Sequence, residues 1–285
     1  MNVNSTYHIG LVIVLYNPDN DDVLHINNLA THYAGCIVDN SPRATFASHS
    51  VGLMHYVFNH GNVGIAKAQN IGIRVLQKEG ITHFVFIDQD SRLSLQYAND
   101  IVDEFIALVR QIPHLAALGP SVINKSTGTP YQSVIHREKA QESGFTEKDF
   151  IISSGSCISQ TALHDVGLLD ESLFIDFVDA EWCWRARSGG YVCGYTNKLS
   201  IQHLVGRKYV RIGPFLDIIS SPFRYYYQYR NFLWLLRRRY VPFGWKVRTA
   251  VKYLIRLVYL PFTRHGILSL KHCAKGIWHG MFMNK

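Results

Sequence analysis

The run His8 to Leu15, with IGLVIVL as its body, is continuously apolar and rich in β-branched side chains. A strand with one wet face alternates apolar and polar residues. A run without alternation reads as a strand buried on both faces. Tyr16-Asn17-Pro18 ends it. The spacing then predicts a helix over Val23 to Tyr33, a strand over Gly35 to Val38, a strand over Leu53 to Phe58 and a helix over Ile65 to Glu79. A further strand over His83 to Ile87 follows. Strands alternating with helices over about 90 residues imply a parallel α/β sheet.

Further along, the pattern predicts a helix over Tyr97 to Gln111 and a strand over Ala116 to Ile123. Residues 124 to 149 read as a polar loop. A strand over Phe150 to Ile158 and short helices over Gln160 to Val166 and from Val178 to Ser188 come next. Strands over Tyr191 to Thr196 and Leu199 to Gln202 complete this part. Two or three helices follow Pro222, with breaks near Pro242 and Pro261.

In open α/β sheets, ligands bind beyond the carboxyl ends of the strands. Tyr16-Asn17, Asp39-Asn40, Asn62-x-Gly64 and Asp88-Gln89-Asp90 all sit at such ends. Two carboxylates two residues apart, after an apolar strand, suit a divalent cation held against a diphosphate. The same triplet is also a common helix-capping turn. Asp39 is placed to accept a hydrogen bond from a pyrimidine N3–H, or to form an Asx turn with Ser41-Pro42. The small residues of Asn62-x-Gly64-x-Ala66-x-x-x-Asn70 permit close backbone approach to a ligand, or simply start a helix.

A second acidic segment, Asp176-Phe-Val-Asp179-Ala-Glu181-Trp182-Cys-Trp-Arg185, sets three carboxylates among bulky aromatics. Acids beside apolar groups have raised pKa values, which suits a general base. Acids are also favoured at a helix N-terminus by its dipole. His203, after a strand-like segment, is a candidate metal ligand with Asp90 or a structural histidine.

Together these segments resemble the family 2 glycosyltransferases of GT-A fold, over about residues 8 to 206. Phe-Ile-Asp-Gln-Asp-Ser at 86–91 and Phe-Ile-Asp-Phe-Val-Asp-Ala-Glu-Trp-Cys at 174–183 resemble bacterial rhamnosyltransferases that build O-antigen in lipopolysaccharide biosynthesis, other surface polysaccharides or rhamnolipid. The resemblance implies a mixed, Rossmann-like sheet flanked by helices and an inverting, single transfer of L-rhamnose from dTDP-rhamnose to a lipid-linked or glycan acceptor. Asp179 would be the catalytic base. Tyr16, Asp39, Asn62, Gly64, Asn70, Asp88 and Gln89 would bind the nucleotide-sugar. Asp90 and His203 would hold Mg2+ or Mn2+. Asp176, Glu181, Trp182 and Arg185 would support the base or the acceptor. The Q-x-x-R-W motif of processive synthases is missing; Arg224-Tyr-Tyr-Tyr-Gln-Tyr-Arg-Asn231 stands in its region. UDP-galactose and UDP-glucose are the alternative donors. A metal-dependent nucleotide-sugar phosphohydrolase is a second enzyme class that Asp88 and Asp90 would serve.

Charge divides the chain. The net charge is +8, yet residues 218 to 285 hold 13 Lys and Arg and no acid. The remainder carries 16 basic and 21 acidic residues, a net of −5. This sets a catalytic region at 1–217, with a donor half to about 92 and an acceptor half over 93–217, before a basic helical extension over 218–285. Its aromatics suit an anionic membrane surface better than nucleic acid. Arg248, Lys252 and Arg256 repeat every four residues, with Val247, Val251, Leu254, Ile255 and Val258 around another face. Arg237-Arg238-Arg239 would add attraction of about 1 kcal/mol per charge. A basic nucleic-acid-binding protein is the non-enzymatic alternative, disfavoured by acids at the strand ends. The five cysteines form no CxxC pair, and no apolar run reaches spanning length. A cytoplasmic protein, peripheral on the inner face of the membrane, is expected.

Overall fold

The computed structural model describes residues 7–124, 144–203, 209–212 and 215–283. Its centre is a nine-stranded sheet in the order β3-β4-β2-β1-β5-β8-β6-β9-β7. The strands are β1 (Ile9–Leu15), β2 (Gly35–Asp39), β3 (Ser50–Val51), β4 (Met54–Phe58) and β5 (His83–Asp88) in the first half. They are β6 (Leu115–Asn124), β7 (Phe145–Glu147), β8 (Cys157–Ser159) and β9 (Val192–His203) in the second. The four strands β4, β2, β1 and β5 are mutually parallel. Strand β8 runs antiparallel between β5 and β6. The sheet is therefore mixed.

Both faces are covered, as the apolar run of β1 requires. Leu11, Ile13 and Leu15 pack toward α1 (Asn20–Ala30) and α3 (Tyr97–Val109). Val12 packs on the other side, toward α2 (Ile65–Gln77), α4 (Gln160–Val166) and α5 (Val178–Ser188). Helix α1 begins three residues before the expected Val23. The reason is polar: Asp19 and Asp22 form a reciprocal capping box.

Three expectations need correction. The loop predicted over 124–149 contains β7, an edge strand whose only apolar residue, Phe145, sits where a Cβ on Gly194 would meet its ring at 2.4 Å. The strand predicted over Phe150 to Ile158 shrinks to Cys157–Ser159, because Gly155 turns the chain at φ 71° and its carbonyl accepts from the Tyr97 hydroxyl at 2.7 Å. The two strands predicted near Tyr191 and Leu199 are one strand, β9, with a register shift opposite Pro120 and Ser121. An antiparallel pair, β10 (Tyr209–Ile212) and β11 (Phe215–Ile218), was not anticipated.

Three helices follow: α6 (Pro222–Leu236), α7 (Phe243–Tyr259) and α8 (Gly266–Phe282). Pro222 opens α6, Pro242 caps α7, and Pro261 sits in a short 3-10 turn after it. Among the described residues no helix is long and apolar enough to cross a membrane.

Candidate active site

The carboxyl ends of β4, β2, β1 and β5 lie side by side. Asp39 pairs with Leu15 and Phe58, and Val14 with Asp88. Neighbouring strands are about 4.8 Å apart, so Asp39 and Asp88 stand on either side of the end of β1, about 10 Å from each other. Tyr16 is 49% exposed at this end.

Asp39 is fully buried and thoroughly bonded. Its carboxylate accepts from Ser41 N at 2.8 Å, Thr45 N at 2.9 Å and the Tyr56 hydroxyl at 2.6 Å. Burial pushes its pKa up, but the donors from Ser41, Tyr56 and Thr45 more than offset this and hold it below the usual carboxylate value. The carboxylate is thus a fixed anion at the sheet edge. Burial and the same partner push Tyr56 up to about 12, so it stays a donor.

Asn40 joins β2 to the start of α2. Its amide donates to the Gly64 carbonyl at 3.3 Å, and the Asn62 side-chain Oδ1 accepts from Gly64 N at 2.9 Å. Gly64 has φ 88°, and a Cβ there would lie 2.7 Å from the Phe174 ring and carbonyl. Two residues expected at the nucleotide-sugar also make contacts within the fold. Asn70 is buried, and its amide donates to Leu169 O and Glu171 Oε1 at 2.9 and 3.0 Å, stapling α2 to the 169–171 segment. Gln89 clamps the Tyr16 backbone, accepting from its N at 2.7 Å and donating to its carbonyl at 3.3 Å.

In the turn after β5, Asp88 is half-buried and Asp90 exposed. Ser91 closes the turn on the Asp88 carbonyl at 3.0 Å, and its buried hydroxyl meets the Ser154 hydroxyl at 2.7 Å. Hard carboxylate oxygens of this kind fit Mg2+ or Mn2+. Among the described residues, no group of three or more His, Cys, Asp or Glu gathers as a preformed cage. His203 ends β9 opposite Asn124, and its side chain lies outside the described residues.

Asp179 stands in the first turn of α5, beside a narrow cavity lined by Phe86, Ser153, Ile158, Leu169 and Cys183. Burial raises its pKa, only partly countered by backbone donors from Ala180, its own amide and Ser153; nearby Asp176 raises it further. Ser153 lines the same narrow cavity as Asp179, while its neighbour Ser154 bonds to Ser91 in the Asp88–Asp90 turn. That two-residue bridge brings the second acidic segment to the first. No sequence signal marked Ser153 or Ser154.

The loop before α5 is bent hard. Phe174, Asp176 and Phe177 have φ 65°, 64° and 67°. Each such non-glycine conformation costs about 1–3 kcal/mol and persists only where its surroundings impose it. Helix α6 imposes it here. Asn231, fully buried, donates to the carbonyls of Leu173, Ile175 and Asp176 at 2.9, 2.8 and 3.1 Å. Arg230 donates to Ser172 O and Leu173 O, while Tyr227 stacks on Phe174 at 4.6 Å. Arg224 Nε donates to Asp176 at 3.3 Å. All four residues lie in the Arg224–Asn231 string, whose role its sequence did not reveal.

The remaining predicted support residues serve the scaffold. Glu181 is buried and accepts from Arg185 Nε at 3.0 Å and the Tyr240 hydroxyl at 2.5 Å, with Arg238 Nη1 2.9 Å away. Arg185 also donates to the carbonyls of Val166 and Leu168. Buried Trp182 donates to Gly167 O at 2.8 Å. These three fasten α5 to α4 and to the chain after α6, so they hold Asp179 in position from behind.

No family model matches the chain. It is 32% identical over 267 residues to the dTDP-rhamnosyl transferase RfbF of Shigella flexneri, across 87% of this chain and 86% of that one. Among solved structures it resembles S. aureus TarS 1-349 in complex with UDP-GlcNAc, with a TM-score of 0.53 and 13% identity, over 96% of this chain and 80% of that one. It also resembles the mannosyltransferase PcManGT of Pyrobaculum calidifontis in complex with GDP-Man and Mn2+, with a TM-score of 0.52 and 10% identity, over 98% and 77% of the two chains. At such identities the structural likeness speaks for the fold alone, and that fold is GT-A.

Proposed function

The chain belongs to the family 2 glycosyltransferases, close to the rhamnosyltransferases, and on that premise we propose that it transfers L-rhamnose from dTDP-rhamnose to a lipid-linked glycan acceptor with inversion at the anomeric carbon. The donor assignment rests on the likeness to RfbF. The observation that carries the mechanism is the Ser153–Ser154 pair: Ser153 lines the cavity that holds Asp179, and Ser154 bonds to Ser91 in the turn after Asp88.

Asp39 accepts the thymine N3–H and the Tyr16 ring lies against the base. Asp88 receives the sugar side of the donor. Asp90, together with the donor's diphosphate oxygens, would hold a divalent cation, and His203 remains a candidate partner for it. When bound, that ion supplies positive charge against the departing nucleotide. Asp179, its basicity raised by burial, takes the proton of the acceptor hydroxyl. That oxygen bonds to the anomeric carbon as the bond to the diphosphate breaks, leaving dTDP. Asp176, held by Arg224, borders the acceptor side.

The acceptor class and a place on the inner face of the cytoplasmic membrane are supported by the acid-free, basic region 218–285. The test is a donor panel of dTDP-rhamnose, UDP-glucose, UDP-galactose and GDP-mannose with Mg2+ or Mn2+, read by calorimetry with the wild type and Asp90→Ala. Metal-dependent binding of dTDP-rhamnose, lost in the variant, is expected. Selective binding of another donor would overturn the rhamnose assignment and leave the fold and mechanism intact.

A further inference from the structure

Helix α7 was expected to offer a basic face built from Arg248, Lys252 and Arg256. The structure turns it differently. Residues four apart advance 400° around a helix of 3.6 residues per turn, so such a row drifts about 40° at each step. By Arg256 the row has rotated onto the buried side. Its guanidinium lies over the Tyr225 and Tyr253 rings at 5.1 and 4.6 Å and donates to Gln228 Oε1 at 2.6 Å. Arg238, expected to face the membrane, pairs internally with Asp170 and Glu181.

The outward side of α7 is apolar instead. Phe243, Val247, Val251, Leu254 and Val258 are 78%, 46%, 41%, 66% and 72% exposed. Their spacing of four, four, three and four keeps them in one stripe along a helix about 25 Å long. The stripe continues into the corner before α8, where Phe262, Ile267 and Leu268 are 88%, 72% and 50% exposed. Contiguous exposed apolar surface of this extent marks an interaction face. Exposed Arg248 follows Val247 by one residue, at the stripe's edge. Exposed Arg264 lies within the corner segment and exposed Lys271 one turn into α8. No acid lies anywhere in residues 218–285.

We infer that this stripe is the face on which the protein lies in an anionic bilayer: α7 in the interface plane, the Phe262–Leu268 corner dipping deepest, and the flanking cations among the lipid headgroups. An amphipathic helix with an apolar stripe and cationic flanks binds such a surface by buried apolar area plus attraction to anionic lipid. A protein partner would have to match a wholly basic rim; the phospholipid headgroups of an anionic leaflet do so without further specificity. The assignment rests on the proposed membrane-surface reading and names the atoms that make the contact. It also explains how remote surface meets chemistry: α7 and α8 both pack against α6, whose Asn231 and Arg230 hold the loop before Asp179.

Co-sedimentation of the full chain with vesicles tests this. Vesicles of phosphatidylglycerol and phosphatidylcholine are compared with vesicles of phosphatidylcholine alone, using wild type, Val251→Glu/Leu254→Glu and the milder Val251→Ser/Leu254→Ser. Wild type is expected in the pellet with the anionic vesicles. The Glu variant should lose about tenfold or more in partitioning, and the Ser variant an intermediate amount, each with an unchanged melting temperature. Equal binding by wild type and both variants would overturn the stripe. Absence of wild-type binding to either vesicle would overturn the membrane reading itself. A wild-type dimer in light scattering, monomeric in the Glu variant and indifferent to vesicles, would assign the stripe to a second copy of the chain and overturn the lipid assignment.

Discussion

The segment that carries Tyr16, Asp39 and Asp88 and the segment that carries Asp179 are held by different means. The first stands on strand ends. Its residues are fixed by the parallel register of β2, β1 and β5, and the Asp39 carboxylate is secured by donors from its own turn and the adjoining strand, Ser41, Thr45 and Tyr56. The second is held from afar. The strained loop at 174–177 is shaped by Asn231, Arg230 and Arg224, 48 to 58 residues away in the chain. Local backbone geometry thus suffices for the side proposed to bind the donor. The side proposed to meet the acceptor depends on side chains of a helix outside the sheet, so remote substitutions should separate transfer from donor binding.

The largest effect should come from Asp179→Asn. Loss of a general base costs about 10²–10⁴-fold in transfer rate. Donor affinity, measured by calorimetry, should be unchanged; a parallel loss of donor binding would erase the distinction between the two segments. The same substitution should stabilise the fold at neutral pH. The folded-state pKa of Asp179 is raised, so its favourable contribution exists below the unfolded pKa and is lost as pH rises through the folded one. A neutral Asn removes the buried charge, and a higher Tm near pH 7, with the gain shrinking in acid, is the expected readout. In the wild type, the acidic limb of the transfer rate should lie above the pH of an ordinary carboxylate.

Next in size is Asp90→Ala, expected to lower metal-dependent transfer about a hundredfold or more with little change in Tm. Titration of activity against Mg2+ or Mn2+ checks it, and retained metal dependence would move the ion elsewhere. Asn231→Ala should follow, leaving three carbonyls without their shared donor at about 2–3 kcal/mol in urea unfolding. Its transfer rate should fall while donor affinity holds. Equal losses in both would mean that α6 supports both segments and not one.

Asp39→Asn should cost about 1–2 kcal/mol by weakening its bonds to Ser41, Thr45 and Tyr56. The sign with pH is opposite to that of Asp179. A lowered folded-state pKa gives stability present above the unfolded pKa and lost as pH falls through the folded one. Acid unfolding curves of wild type and variant should therefore converge at low pH. Smallest is Arg74→Ala, which breaks the half-exposed pair with Glu171 at 2.9 Å between α2 and the 169–171 segment. It should change stability by less than about 0.5 kcal/mol.

Periodicity and strand-end chemistry were legible in the chain itself. The apolar run of β1 demanded a sheet covered on both faces, and acids placed just after β2 and β5 arrive at one sheet edge whatever the rest of the molecule does, because parallel strands all point the same way. Asp179 was legible as an acid among aromatics. The partners of Asn70, Gln89, Glu181, Trp182 and Arg185 were not: an amide or carboxylate of the right type beside a motif looks the same whichever group it faces. Only the folded contacts separate the two. The face of α7 was misread for a related reason, since a four-residue repeat of cations drifts around a helix and only packing decides which turn of that drift is buried.

Composition and order alone therefore determined an α/β sheet with acids at its carboxyl edge and a basic, acid-free C-terminal region, because strand direction and charge are carried by consecutive residues. Tertiary structure decided that Ser153 and Ser154 bridge the two acidic segments, that α6 bends the loop before Asp179, and that Val247 to Val258 face outward with Arg256 turned in. Those outcomes depend on which side chains meet across tens of residues, and hydrogen-bond geometry between distant segments leaves no periodic trace in the chain.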